Sequence, residues 1–324
     1  MNRPHRPFVV VAMVALLATV AACSPSGGLG QVPSRAPTPA PSVAQGSPDL
    51  TAEPTPSGAA PSAEPTAPSS AGPSPTTGET TVVRAYFFLG GELGSEGLVP
   101  LLRDVPATPA IGTAAMNAML AGPTEAERAE RVITSAVPSG SRLLGLTIED
   151  GVATVDLSRE FESGGGSMSI SVRLAQVVYT LTQFPTVQSV RFEIEGQPVT
   201  VFSSEGLILD GPVDRADYEE LLPNIYVDRP AYGAGLGNPA RIVGSANVFE
   251  AQFLITLIDG NGVVVAETPA MATCGTGCRG TFDVTVPYAV AASGWGTLRV
   301  WDGSARDGSP ENVREYPVWL TPAE

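Results

Sequence analysis

The sequence holds no lysine, a single histidine (His5) and three cysteines (Cys23, Cys274, Cys278) in 324 residues. All 18 basic residues are therefore arginine, set against 33 acids, and the formal charge is −15 at pH 7. Without lysine there is no Schiff-base chemistry and no phosphate-binding lysine of the P-loop kind. With His5 the only imidazole, Ser–His and Cys–His nucleophiles and imidazole metal sites are excluded for any form that loses its N-terminus. The acidic balance repels nucleic acid and anionic lipid heads, so binding of nucleic acid through a basic patch is excluded too. Aromatic residues amount to 6 %, and there is none between residues 24 and 79.

Arg3 and Arg6 precede an apolar run at residues 8–22 (FVVVAMVALLATVAA). A spanning helix needs about 20 apolar residues, so this shorter run reads as the core of a signal peptide, residues 1–22. It ends in Val20-Ala21-Ala22-Cys23, which resembles the bacterial lipobox. The cysteine of that motif receives a diacylglycerol thioether before cleavage ahead of it. An ordinary secretory leader with a chance cysteine is the competing reading. Each buried CH₂ contributes about 0.8 kcal/mol, so acyl chains on Cys23 would hold the protein on the extracytoplasmic face of the cell membrane. The processed chain would carry 16 arginines against 33 acids, a formal charge of −17. Its anchor therefore works without electrostatic help from the membrane.

Residues 23–79 read as the lipidated cysteine and a disordered tether. Residues 24–79 contain 13 prolines among Ser, Thr, Ala and Gly. Such a composition cannot bury enough apolar surface to offset its conformational entropy. Fully extended it would span roughly 170 Å, and as a flexible coil about 40–45 Å. A mucin-like or protein-binding proline tract is the alternative.

From Thr80 the pattern becomes that of a folded domain, residues 80–212. Thr81 to Phe88 and Leu98 to Val105 read as strands. Thr108-Pro109 opens a helix reaching Ala121, which Gly122-Pro123 closes. Thr124 to Glu127 begins a short acidic turn or helix. Arg142 to Leu157 reads as a hairpin around Glu149-Asp150-Gly151. Ile170, Leu174, Val177, Val178, Leu181 and Phe184 recur at helical spacing until Pro185. Val187 to Glu195 and Val199 to Phe202 are strands, so the domain is α/β (α+β). Residues 213–224 read as a connecting helix and linker. From 225 to 324 the helix signals vanish. Six or seven short β runs separated by turns such as Asp259-Gly260-Asn261-Gly262 predict an all-β immunoglobulin-like sandwich.

The first folded region carries Gly97-Leu98-Val99-Pro100, Leu120-Ala121-Gly122-Pro123-Thr124, Ala153-Thr154-Val155-Asp156-Leu157-Ser158 with Phe161, and Gln176 to Leu181 with Phe184-Pro185. In these stretches it resembles the sporulation and germination domain called GerMN. The second carries Pro239 with Val243-Gly244-Ser245-Ala246, Val248-Phe249-Glu250-Ala251, Gly280-Thr281-Phe282, Asp307-Gly308-Ser309 and Pro317-Val318, and through them it resembles the immunoglobulin-like domain associated with bacterial spore germination. The resemblance implies an extracytoplasmic binding or scaffolding protein without catalysis or cofactor. GerMN-type domains are similar to ring-building modules of envelope complexes, and they occur in actinobacterial lipoproteins that work with membrane sensor kinases. A lysine-free chain rich in Ala, Pro and Arg fits a high-GC actinobacterium.

Few residues offer chemistry. Cys274-Gly275-Thr276-Gly277-Cys278 would close a short disulfide loop in an oxidising compartment. A redox-active pair lacks a surrounding thioredoxin-like unit, and a zinc site lacks further ligands. Gly275 to Gly280 spells GxGxxG, but no helix follows to receive a dinucleotide phosphate. Glu149/Asp150, Glu160/Glu162 and Glu219/Glu220 are adjacent in sequence, whereas a glycosidase needs two acids converging across a cleft. Asp302 to Gly308 lacks the alternating oxygen ligands of a calcium loop. Strand alternation places Arg299 and Trp301 on the face opposite Leu298 and Val300, and Trp319 opposite Tyr316, Val318 and Leu320. Arg299, Trp301 and Trp319 are thus a candidate partner surface, unless a bulge turns one ring into the core.

The expected function is that of a non-enzymatic, lipid-anchored envelope protein that engages a protein partner. A module binding cell-wall polysaccharide such as peptidoglycan is the alternative, and a hydrolase using carboxylates alone is the remote one. Cys23→Ala is expected to release the protein from the membrane fraction or leave it unprocessed. Cell fractionation checks this, and a processed variant that stays with the membrane overturns the anchor.

Overall fold

Thr81-Val82-Val83-Arg84-Ala85-Tyr86-Phe87-Phe88 is β-branched and aromatic, and in the computed structural model it lies within strand β1 (Thr80–Leu89). The structure describes residues 78–323 apart from 92, 93, 132 and 204. The expected signal peptide, Cys23 and tether lie outside the described residues. Strand β1 pairs antiparallel with β2 (Gly97–Pro106) along its whole length, from Thr80↔Pro106 to Leu89↔Gly97. Strand β3 (Ile133–Thr134) adds to the other edge of β1.

Helices α1 (Ile111–Leu120) and α2 (Glu125–Arg131) connect β2 to β3. The first starts later than Thr108-Pro109 predicts, because the Thr108 hydroxyl accepts the Ala110 N–H at 3.2 Å in a turn ahead of the helix. The second is fixed by a capping box. Glu127 N–H donates to Thr124 Oγ1 at 3.3 Å, and Thr124 N–H donates to the Glu127 carboxylate at 2.7 Å.

The next layer is the predicted hairpin, β4 (Leu143–Glu149) and β5 (Val152–Leu157). Asp150 and Gly151 turn it with φ of 49° and 82°, the two left-handed positions that favour an acidic-Gly pair. Helix α3 (Ser167–Leu181) then leads to β6 (Ser189–Ile194), which lies parallel to β5. It packs on α1, β1 and β6, and from Ile170 to Leu181 it is almost wholly buried. Its buried polar residues are all bonded. Arg173 donates to the carbonyls of Ala136, Phe161 and Gly164, and Gln176 donates to Tyr86 O while accepting the Ala136 N–H. Strand β7 (Gln197–Pro198) and the small hairpin β8 (Val201–Phe202) with β9 (Leu207–Ile208) complete an α/β region.

The predicted connecting helix is a kinked 3₁₀ segment, Ala216–Leu221, with Tyr218 at φ −132°. Asp214 and Asp217 bond the first backbone N–H groups as turn residues, and Pro223 follows, so no α ladder develops.

Among the described residues the C-terminal region has eight strands, against the six or seven read from sequence. They are β10 (Ile225–Arg229), β11 (Gly235–Leu236), β12 (Ala240–Ala246), β13 (Gln252–Ile258), β14 (Val264–Met271), β15 (Gly280–Val286), β16 (Gly294–Gly303) and β17 (Pro310–Leu320). One sheet has the order β10-β12-β15 and the other β11-β17-β16-β13-β14. Their inner faces interdigitate, with the Phe253 and Phe282 rings 4.8 Å apart across the sandwich. Leu298 and Val300, and then Tyr316, Val318 and Leu320, alternate into this core.

The described residues of the α/β region and the sandwich belong to one compact unit, so the two share an interface. Tyr232 N–H donates to Pro100 O at 2.9 Å, and Asn224 N–H to Gly94 O at 2.7 Å. Arg314 reaches from β17 to the carbonyls of Ser95 and Leu98 at 2.6 and 3.0 Å. Gly97 has φ +143°, and a Cβ there would press on Leu221 O and the Pro223 ring. Among the described residues, no helix is long and apolar enough to cross a membrane.

Candidate functional site

The strongest polar constellation lies where the α/β region meets the sandwich, and no sequence motif announced it. Asp228, on β10, is the hub. Its carboxylate accepts Tyr86 OH at 2.7 Å, Tyr226 OH at 3.0 Å and Arg84 Nη1 at 2.8 Å. Arg215 Nη1 stands 3.6 Å away and lies over the Tyr179 ring, 4.6 Å from its centroid. Burial alone would raise the Asp228 carboxyl. The Arg84 and Arg215 charges and the two tyrosine hydroxyls override it and hold the group below the ordinary carboxylate value. Burial, and next the charge of Asp228, push the Tyr86 hydroxyl up. Tyr226 is raised further, again chiefly by burial. The arrangement is one ionised carboxylate, protonated tyrosines and cationic arginines. These bonds fix the positions of β1, the connecting segment and β10 relative to one another.

A cavity of about 280 Å³ opens beside it, lined in part by Arg215, Glu219, Ser245 and Arg279. Arg279 donates to the carbonyls of Leu222 and Pro223 and faces Ser245 Oγ at 3.4 Å. The only sequence signal for the hub was an acid inside an apolar β run, Ile225-Tyr226-Val227-Asp228.

The predicted carboxylate pairs are dispersed. Glu149 and Asp150 lie at the β4–β5 turn, Glu160 and Glu162 on a short 3₁₀ segment after β5, and Glu219 and Glu220 on the connecting 3₁₀ segment. Glu149, Asp150, Glu160, Glu219 and Glu220 are exposed. Among the described residues, no group of three His, Cys, Asp or Glu side chains could hold a metal ion. Asp302 is buried and accepts the Asn312 amide at 2.7 Å, with its carboxyl raised chiefly by burial. A buried, raised carboxyl is a poor calcium ligand.

Cys274 and Cys278 are bridged, with Cα atoms 5.8 Å apart. The glycines around them serve backbone packing. A Cβ at Gly275 would meet Ala251 N and Val248 O, and one at Gly280 would meet the Cys274 backbone. That accounts for the GxGxxG spelling without a phosphate.

The outer face of the five-stranded sheet carries the tryptophans. Arg299 and Glu315 form a cross-strand ion pair at 2.6 Å, both partly exposed. Trp301 is half-buried and its indole N–H donates to Thr256 Oγ1 at 3.3 Å. A bulge between Val300 and Asp302 interrupts the β16–β17 register without turning the ring into the core. Trp319 is exposed, and Trp295, which the candidate surface did not include, stands directly opposite it on β16. Arg299, Trp301 and Trp319 therefore share one face with Trp295.

Residues 84–200 match the family model described as sporulation and spore germination (Germane). Residues 224–309 match that of the immunoglobulin-like domain of bacterial spore germination (Gmad2). No curated protein matches the sequence significantly. Among solved structures, a Clostridium perfringens protein named provisionally as a lipoprotein is 18 % identical, covering 44 % of this chain and 92 % of its own, with a TM-score of 0.31. The first GerMN domain of the Bacillus subtilis sporulation protein GerM is 18 % identical over 43 % of this chain and all of its own, with a TM-score of 0.35. The tandem GerMN domains of the same protein are 14 % identical, covering 64 % of this chain and 62 % of theirs, with a TM-score of 0.36.

Three outcomes follow from the geometry. Asp228→Ala removes the carboxylate from between Arg84 and Arg215 and should cost about 3–5 kcal/mol in chemical denaturation. Because the folded carboxyl lies below its ordinary value of 3.8, the charge-linked contribution is complete above that pH and is lost as pH falls through the folded value. Asp228→Asn should flatten the corresponding part of the acid-unfolding curve. The Cys274–Cys278 loop is short, so reduction should cost at most about 2 kcal/mol, read as a modest drop in melting temperature with the fold retained.

Proposed function

We propose, from the premise that this chain joins a sporulation and spore germination domain to the immunoglobulin-like domain of bacterial spore germination, that it is a non-enzymatic binding protein of the cell envelope. It is anchored by lipid on Cys23 at the extracytoplasmic face, with its folded unit displayed to a protein partner in an assembly or sensor-kinase-linked complex. The observation that carries this reading is the outer sheet face bearing Arg299, Trp301 and Trp319. Aromatic and arginine side chains on a rigid sheet have the composition of interface hot spots. The ionisable groups support it from the other side. The buried ones are paired for structure, and the exposed acids are scattered over separate elements.

A photo-crosslinker at Thr297, between Trp295 and Arg299 on β16, tests the reading in intact cells. It should give a discrete adduct with a membrane protein, and Trp301→Ala should abolish that adduct. The half-buried ring should cost about 1 kcal/mol of stability, well short of the about 3–5 kcal/mol of a core aromatic. No discrete adduct, or a core-sized loss of stability in both Trp301→Ala and Trp319→Ala, overturns the partner surface.

A further inference from the structure

The end of the sandwich around Trp295 has a different character from the rest of the face. A cavity of about 500 Å³ opens there, between the β13–β14 turn and the loop that leads into β16. Asp259 and Asn261 contribute from the turn, Ser293 from the loop, and Trp295 and Leu320 from the strands. Trp295 is 56 % exposed and Trp319 38 %. Their rings meet edge to face, centroids 5.5 Å apart at 85°, so they form an open aromatic corner. Gly296, next to Trp295, faces the other way, and a Cβ there would meet Ile258 O and the Leu320 side chain, so the strand packs closely at this point.

We propose that this corner is a saccharide-binding site, taking a neutral oligosaccharide whose CH-rich ring face lies on Trp295 and whose hydroxyls bond Asp259, Asn261 and Ser293. Loops gathered at one end of a sandwich are where this architecture places ligand contacts. The cavity falls in the size range of small-ligand sites, and its lining mixes apolar surface with a few polar groups. Asp259 is the only ionisable residue lining it. Its Oδ1 accepts the N–H groups of Asn261 and Val263, both at 2.9 Å, which fixes the turn and keeps the carboxylate ionised. One fixed negative charge on an acidic protein turns away phosphate, nucleic acid and acidic polymers. A lone ammonium head would pair with Asp259 but would leave most of the cavity empty. A neutral sugar donates hydroxyls to the carboxylate, accepts from the amide and hydroxyl, and covers the indole, so it uses every kind of group present. The site goes beyond the protein-partner reading and stands without it, since its aromatic anchor is Trp295 and not Trp301.

Tryptophan emission of the detergent-solubilised full-length protein reads the site directly. Chitotetraose and cellotetraose are the saccharide probes; a proline-rich peptide and tetramethylammonium are the controls. At least one sugar should give a saturable emission change at micromolar to millimolar concentration. Trp295→Ala and Asp259→Ala should each weaken binding about tenfold or more, while Trp301→Phe stays within about twofold. Circular dichroism of Trp295→Ala should match the parent, because the ring is more than half exposed. No saturable change with either sugar overturns the proposal. So does sugar binding that survives Trp295→Ala, or saturation by the peptide or the ammonium ion in place of the sugars. Thr297 crosslinking is read separately, so a failed saccharide site and a failed partner surface are distinguishable.

Discussion

One carboxylate joins the two halves of the folded unit. Asp228 sits on the first strand of the sandwich, yet two of its shortest bonds reach Arg84 and Tyr86 on the first strand of the α/β region. Arg215, on the segment between the two halves, completes the set. A charge this buried is tolerated only with partners on several sides, and the partners here come from β1, from the connecting segment and from β10 itself. The carboxylate therefore fixes the relative placement of β1, the connecting segment and β10 together. Loss of β1 would take both Arg84 and Tyr86 from the carboxylate, so the α/β region and the sandwich are coupled through electrostatics as well as through apolar contact.

The absence of lysine shapes the rest of the interior. Arg173 and Arg314 are both nearly inaccessible; Arg173 donates from Nε and both Nη atoms to backbone carbonyls, and Arg314 does so from its two Nη atoms while its Nε has no hydrogen-bond partner. A planar guanidinium can span several carbonyl oxygens at once, which a compact ammonium cannot do. Arg173 thereby ties the loops after β3 and β5 to α3. Arg314 ties β17 to the loop and strand start around Ser95 to Leu98. Basic residues that might have formed a surface patch are used instead as internal clamps. That fits an acidic exterior and removes them from any role in recognising polyanions.

Much of the architecture was legible in the sequence because its signals are local. The hairpin at Asp150-Gly151, the helical spacing from Ile170 to Leu181 and the alternation in Thr297 to Trp301 each follow from a few neighbouring residues. The parts that escaped depend on distant partners. Strand β10 is five residues between two prolines and is held by β12, some fifteen residues on. Strand β11 is two residues in a glycine-rich stretch and pairs parallel with β17, the last strand. The Asp228 hub could not be read at all, since its meaning lies in Arg84, Tyr86 and Arg215, far away in sequence. Trp295 was legible as an aromatic residue but not as the partner of Trp319, because the β16–β17 register that sets them opposite each other is tertiary.

The outer sheet face follows from these constraints. Its charges are matched locally, Arg299 with Glu315, so the strip between the tryptophans carries little net field. At the Trp295 end a single carboxylate, held by its own turn, supplies the only fixed charge. Long-range electrostatics on this acidic protein therefore act mainly to exclude anions, and the recognition proposed for this face rests on short-range groups: exposed indoles, amides and hydroxyls. Such groups discriminate by shape and by hydrogen-bond direction, and they do so only if their backbone does not move. The sheet supplies that rigidity from below, and the buried carboxylate and arginine clamps extend it to the whole unit.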